Sequence, residues 1–125
     1  MSGLTLDAGG LIALDRNDRR VLALLARAAE RHLRITVPAT AFTQAIRHPV
    51  QQVRLTRLVR QLTTDFVSLD GPAATATGRL LAVTRTSDIV DAHVVVCARR
   101  TGQAVVTSDA DDLRRLDPDV PLVIV

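Results

Sequence analysis

Aspartates that flank apolar segments are the residues of this chain best suited to chemistry. Asp7 and Asp109 each follow a short apolar run. Asp91 lies in the first turn of an apolar helical pattern, three residues after Asp88, so on a helix the two acids share a face. Because burial of an unpaired ionised carboxylate is very costly, Asp91 requires an arginine, capping amides or a metal cation.

These acids are expected to converge. Parallel strands end at one edge of a sheet, which brings Asp7 and Asp109 together, and Asp91 begins the helix that precedes the Asp109 strand. Asp112 lies in the helix that follows. Converging carboxylates repel one another, and a divalent cation relieves that repulsion. Oxygen ligands suit Mg2+ or Mn2+, which can generate hydroxide for attack on a phosphodiester.

Three of the acids also have a simpler structural interpretation, which the sequence leaves open. In that interpretation Asp7 serves only as the N-cap of the helix that follows it, and Asp88 serves only to interact favourably with the dipole of its helix. Asp112 would be an ordinary surface acid. Asp91 and Asp109 are harder to explain in structural terms alone.

Short apolar runs separated by helical patterns position these acids. The runs predicted as strands are residues 4–6, 35–37, 66–69, 104–108 and 122–125. Helical patterns are predicted at residues 11–14, 19–32, 38–49, 51–63, 73–84, 87–98 and 109–116, with Ser87 as the N-cap of the helix that carries Asp91. Such alternation predicts an α/β fold with a parallel sheet covered on both faces, in a single domain over residues 1–125.

Composition narrows the function further. All 16 cationic side chains are arginine, and the net charge of +3 favours a polyanionic partner. The absence of Trp and Tyr and the presence of only two Phe exclude an aromatic stacking platform for single-stranded bases. No apolar run is long enough to span a membrane, and the single Cys97 is expected to be a small buried side chain, which together predict a cytoplasmic protein.

Four segments, in their order along the chain, resemble a known family. They are Leu6-Asp7-Ala8-Gly9, Val37-Pro38-Ala39, Asp88-Ile89-Val90-Asp91-Ala92-His93 and Thr107-Ser108-Asp109. The ordered set resembles PIN domains, specifically the VapC-like toxins of bacterial toxin–antitoxin pairs. This resemblance implies a three-layer α/β/α fold with a central parallel sheet of four or five strands. It also implies a metal-dependent ribonuclease site, a homodimer and a cognate antitoxin partner.

The resemblance assigns roles to particular residues. Asp7, Asp91 and Asp109 match the catalytic, metal-binding acids. Asp88 and Asp112 occupy positions where many members have a supporting acid. Thr107 and Ser108 match hydroxyl residues that help to hold the acids and water of the site.

One position departs from the family pattern: after Val37-Pro38 the next helix usually carries a glutamate, and here Gln44 stands in its place. Glutamine keeps the length and one carbonyl ligand but loses the charge. Because Asp7, Asp91 and Asp109 remain, the resemblance still predicts an Mg2+- or Mn2+-dependent endoribonuclease. Arg47 and Arg54 are the arginines expected to guide the RNA strand. The alternative is a catalytically weak or inactive PIN-fold module that binds RNA or a partner protein, because Gln44 replaces the usual acid.

An arginine row on the predicted helix at 51–63 leaves two interpretations open. Arg54, Arg57 and Arg60 recur at intervals of three residues. The row is either a solvated helix face or a ridge that binds phosphates.

Overall fold

The computed structural model describes residues 3–125 and shows one sheet of five parallel strands. The strands are β1 (Gly3–Leu6), β2 (Arg34–Pro38), β3 (Thr64–Val67), β4 (Ala104–Thr107) and β5 (Leu122–Ile124). The helices of the described residues are α1 (Ala8–Asp15), α2 (Arg19–Glu30), α3 (Ala39–Ala45), α4 (Val53–Arg60), α5 (Gly71–Thr84), α6 (Ile89–Thr101) and α7 (Ala110–Leu116). The α/β fold and the parallel sheet predicted from the sequence are confirmed.

Strand order explains the three layers. The sheet runs β3-β2-β1-β4-β5, so the chain first moves from β1 towards β3 and then crosses back to β4 and β5. Because parallel crossovers are right-handed, the helices of the first half and those of the second half cover opposite faces. The direction reverses between β1 and β4. In open α/β sheets, the crevice at the carboxyl ends of two such strands is the usual ligand site.

The central strands have buried side chains throughout, as expected for a sheet covered on both faces. Every residue of β1 and β4 is buried, and α6 packs against both strands. From Ala92 to Ala98 the side chains of α6 are buried without interruption, including Cys97. Burial raises the pKa of the Cys97 thiol to about 11, which agrees with the prediction of a buried, unreactive side chain. No helix within residues 3–125 has both the length and the apolar character needed to cross a membrane.

Several boundaries differ from the sequence prediction. The helix predicted to run to Pro49 ends at Ala45, because Ile46 adopts an extended conformation. Pro38 is the last residue of β2 and precedes α3 rather than lying in its first turn. The third strand ends at Val67, since its ladder with β2 sets its register. The N-cap of α6 is Asp88, and the prediction of Ser87 was wrong.

Candidate active site

Asp7 lies at the switch point between β1 and β4. Leu6 pairs with Val106, so Asp7 and Thr107 are the next residues along the two strands. The Asp7 carboxylate is buried and accepts a 2.7 Å hydrogen bond from the Gly10 N–H, which caps α1. The capping role considered for Asp7 is therefore present, in addition to its place at the site.

Two glycines allow the first turn of α1 to lie directly on β4. A Cβ at Gly10 would stand 2.6 Å from the main-chain oxygen of Val106, and one at Gly9 would stand 2.3 Å from the Ser108 hydroxyl. Real Cβ contacts are longer than this, so any side chain would push α1 away from β4. The small residues after Asp7 thus fix how closely its carboxylate approaches β4.

Thr107 connects two of the acids. Its buried hydroxyl accepts a 3.0 Å hydrogen bond from the Asp109 N–H. Burial raises the pKa of Asp7, the hydrogen bond donated by Thr107 and those from the Gly10 and Gly9 amides lower it, and the charge of Asp109 raises it again. Burial outweighs the hydrogen bonds, so the net pKa is raised.

The Asp109 carboxylate is exposed and makes no capping hydrogen bond to α7, although Asp109 occupies the N-cap position. The cap of α7 therefore does not require a carboxylate at residue 109. Its side chain is therefore available to a ligand at the carboxyl end of β4.

The negative charges of the other four predicted acids all act on the carboxylate of Asp91. Its side chain is part-buried, and the Asp91 N–H donates a 2.9 Å hydrogen bond to Asp88, the N-cap of α6. Burial, followed by the charges of Asp88, Asp7, Asp112 and Asp109, raises the pKa of Asp91 to about 7. The structure thus brings the other four predicted acids within electrostatic range of Asp91.

A cleft of about 290 Å3 opens beside these acids. Asp88, Asp91 and Asp112 line it, together with Arg115. The guanidinium of Arg115 lies 3.5 Å from the carboxylate of Asp112. The charge of Asp109 and a hydrogen bond with it raise the pKa of Asp112, while Arg115 lowers it. We call this feature the acid cleft.

The chemistry of the acid cleft suits a hard divalent cation. Its donors are the carboxylate oxygens of Asp88, Asp91 and Asp112, and burial together with the negative charge of the neighbouring acids raises the pKa of Asp91. A divalent cation is the ligand that would relieve this repulsion. Within residues 3–125, no three acid, histidine or cysteine side chains already stand in position to share one ion. Side chains such as the exposed Asp109 would therefore have to turn inward to bind it.

Gln44 and Ser108 lie elsewhere around α1. The apolar residues 41, 42, 45 and 46 predict a helix face that also includes Gln44, but the structure shows the Gln44 side chain exposed. It lines a polar cavity with Asp15 and Arg16 of α1. Ser108 is exposed beside Gly9 and lines a separate depression. Their supporting roles at a metal site stay predictions.

The two arginines proposed to guide RNA line different cavities. Arg47 lies in the same polar cavity as Gln44. Arg54 and Arg57 border a groove of about 370 Å3 between α2 and α4 that has an apolar floor. Arg54, Arg57 and Arg60 are all exposed, and α4 buries Leu55 and Leu58 on its other side. Exposure fits both interpretations of the row.

Sequence reasoning missed three side chains near this region. Arg115 was visible as a cation three residues after Asp112, but the pairing could not be assigned to a cleft. His93, fully buried in α6, contacts the Thr40 hydroxyl of α3 through Nδ1 at 2.6 Å. Gln52 gave no signal in the apolar pattern, because three of its hydrogen-bond partners are backbone groups of the loop after α3, whose conformation periodicity does not report.

Comparison with solved structures supports the fold. No family model matches the sequence, and no curated protein matches it. A chain of VapBC2 from Rickettsia felis, solved bound to a promoter DNA fragment, aligns with a TM-score of 0.68 at 12% identity over 97% of each chain. FitAcB from Neisseria gonorrhoeae aligns at 0.64 with 14% identity over 95% of each chain. PAE2754 from Pyrobaculum aerophilum aligns at 0.62 with 14% identity, over 96% of this chain and 82% of the other. The protein therefore has the PIN-like fold that its sequence resemblance implied.

Proposed function

We propose that this protein is an Mg2+- or Mn2+-dependent endoribonuclease and the toxin of a toxin–antitoxin pair. The observation that carries the proposal is the group of five aspartates near the switch point, where burial and then the charges of the other four acids raise the pKa of Asp91 to about 7. Likeness of fold to chains of VapBC2 and FitAcB supports the toxin role.

The residues of the proposed site would have different roles in binding the cation and positioning its ligands. Asp7, Asp91 and Asp109 would hold the cation, with Asp88 and Asp112 adding charge. Thr107 would keep Asp7 and the backbone of Asp109 in register, since its hydroxyl already hydrogen-bonds both. A bound cation would supply an activated water and neutralise charge on the scissile phosphodiester.

The protein is further proposed to bind a cognate antitoxin, to form a homodimer and to act in the cytoplasm, where its RNA substrate would be found. Growth arrest on expression, relieved by the protein encoded beside it, would support the toxin role. Light scattering that shows a monomer over a wide concentration range would contradict the homodimer.

Cleavage of a fluorescent single-stranded RNA with Mn2+, compared with EDTA, tests the nuclease. Asp109→Asn is the informative variant, because Asp109 is exposed and makes no capping bond, so folding should be unaffected. Its rate should fall at least about 100-fold, since residues that only support metal ligands commonly contribute about 10- to 100-fold.

Asp111→Asn is the matched control for that variant. It removes the same charge from an exposed side chain in the first turn of α7, and its cleavage rate should be unchanged. Cleavage that persists in EDTA, or that Asp109→Asn leaves intact, would contradict the proposal.

One observation favours a second candidate, a PIN-fold module without turnover. The glutamate expected on α3 is replaced by Gln44, which lines a different cavity, so the acid cleft receives no fourth strong ligand from this helix. Such a module would bind RNA or a partner without any response to millimolar Mg2+ or Mn2+. Metal titration of the melting temperature distinguishes it from the nuclease.

A further inference from the structure

A second, polar cavity of about 490 Å3 lies at the far end of α1 from Asp7. We call it the α1–α3 cavity. Its principal lining side chains are polar or charged: Arg16, Gln44, Arg47, His48, Gln51 and Gln52. Asp15 is the acid that borders it, and its carboxylate accepts a 3.3 Å hydrogen bond from the Gln52 amide. The exposed rim therefore has an excess of cationic and amide donors.

One buried side chain builds the wall of this cavity. The Gln52 side-chain oxygen accepts hydrogen bonds from the N–H groups of Arg47 at 2.8 Å and His48 at 3.0 Å. Its amide nitrogen donates to the Ala45 carbonyl at 3.0 Å and to Asp15 at 3.3 Å. Both donors and both acceptor positions of the amide are used. Gln52 thus replaces the missing next turn of α3 and fixes the loop to α1.

This loop holds the Arg47 side chain at the rim. With its main-chain N–H bound to Gln52, Arg47 donates one guanidinium hydrogen bond to the Ile46 carbonyl at 2.9 Å. The remaining guanidinium donors are exposed. Side chains restrained in this way lose less entropy when they bind a ligand.

Helix α1 runs from Asp7, one of the five acids, to the α1–α3 cavity. Asp7 caps its first turn, and Asp15 is its last residue. Eight helical residues at 1.5 Å each span about 12 Å. A polynucleotide whose scissile phosphate lies at the acids would therefore reach the cavity with a neighbouring phosphate.

We infer that the α1–α3 cavity binds the sugar–phosphate backbone of single-stranded RNA beside the scissile bond, with Arg47 and Gln44 contacting the strand. The inference rests on the proposed ribonuclease function. Guanidinium and amide donors suit phosphate and ribose oxygens. Apart from the imidazole of His48, the principal lining side chains are not aromatic, so the cavity offers no Phe, Tyr or Trp for base stacking.

This inference explains why residue 44 is a glutamine rather than a glutamate. In a cavity lined by arginines, a glutamine can donate a hydrogen bond to a phosphate oxygen. A glutamate there would pair with the arginines and repel the strand. Gln44→Glu therefore separates the two roles, because the metal-ligand role predicts tighter Mn2+ binding and the cavity role predicts weaker RNA binding.

The experiment measures the affinity of a fluorescein-labelled poly(U) oligonucleotide in EDTA by anisotropy, across a range of salt concentrations. Without metal the acids repel RNA, so binding reports the cationic surface. Arg47→Gln removes one phosphate contact, which should weaken binding about fivefold at about 0.1 M salt and reduce the salt slope by about 0.7. Gln44→Glu should weaken binding to a similar extent. Arg79→Gln, which removes an exposed arginine on α5, is the control and should bind like the parent.

Several results would overturn the inference. They are no detectable RNA binding by the parent in EDTA, equal affinities for Arg47→Gln and Arg79→Gln, or unchanged RNA affinity with a larger Mn2+ stabilisation in Gln44→Glu. The ribonuclease proposal is tested separately. If no Mn2+-dependent cleavage occurs while Arg47→Gln and Gln44→Glu still weaken RNA binding, then RNA binding in the cavity is supported and the ribonuclease proposal is contradicted.

Discussion

The ionised side chain of Asp91 should lower the stability of the metal-free protein, and its replacement by asparagine should restore it. The pKa of Asp91 rises from 3.8 to about 7, first because of burial and then because of four neighbouring aspartates. The unfolded chain therefore releases this proton near pH 4 and the folded protein near pH 7. Between these values the folded state holds more protons, so stability falls as pH rises through this window.

The size of the effect follows from the same change. At about 1.4 kcal/mol per pH unit, the full cost at neutral pH would approach about 4 kcal/mol. Asp91 is only part-buried, so solvent screens much of that cost, and we expect about 1–2 kcal/mol. Asp91→Asn should raise the free energy of unfolding by this amount above about pH 7, and the gain should shrink towards zero as the pH falls to about 4.

Urea unfolding in EDTA at about pH 8 and about pH 4.5 measures this difference. The control is Asp119→Asn, which removes an exposed acid before β5, at the opposite end of the sheet, and should be nearly neutral at both pH values. Mn2+ should then stabilise the parent more than Asp91→Asn, because the ion binds only the folded state. An equal gain at both pH values, or none at pH 8, would refute the electrostatic account of the acid cleft.

Two further predictions use matched pairs of residues. Gly10→Ala should destabilise the protein by about 1–3 kcal/mol, because a Cβ there would lie 2.6 Å from a carbonyl oxygen of β4. Gly78→Ala, which adds a Cβ in open space on α5, should stabilise the protein by about 0.5–1 kcal/mol. Thermal melts measure both changes. Arg115→Gln should lower kcat/KM for RNA cleavage about tenfold or more, because Arg115 lines the acid cleft and can bind the phosphate. Arg114→Gln, which removes the adjacent arginine with its own partner one turn away, should leave cleavage unchanged, and equal losses would place neither arginine at the substrate.

Local sequence patterns predicted the sheet well because its strands are short, apolar and separated by helices. The same patterns placed Asp7 and Asp109 at strand ends, and the register of Leu6 with Val106 brings those ends together. Strand order is different: nothing in the periodicity states that β1 lies beside β4. That adjacency, which creates the switch point, comes from the structure.

The region around α3 was harder to predict because its geometry depends on side-chain-to-backbone hydrogen bonds of the following loop rather than on apolar periodicity. The pattern of apolar residues favoured a helix as far as Pro49 and placed Gln44 on its buried face. The helix instead ends at Ala45, whose carbonyl accepts a hydrogen bond from Gln52. Helical periodicity groups residues by face but does not determine which neighbour each face meets. The exposure of Gln44 therefore required the structure.

The stability cost of the ionised Asp91 side chain also helps to distinguish a nuclease from an inactive module. A fold that used this residue only for structure would gain stability from asparagine, since the Asp91 contact that caps α6 is made by its main-chain N–H rather than by its carboxylate. Asp109 also fills no capping role, because its side chain makes no capping hydrogen bond to α7. Carboxylates that cost stability and satisfy no structural need are expected where a ligand compensates them. The acid cleft is therefore better explained by a bound cation than by the requirements of the fold.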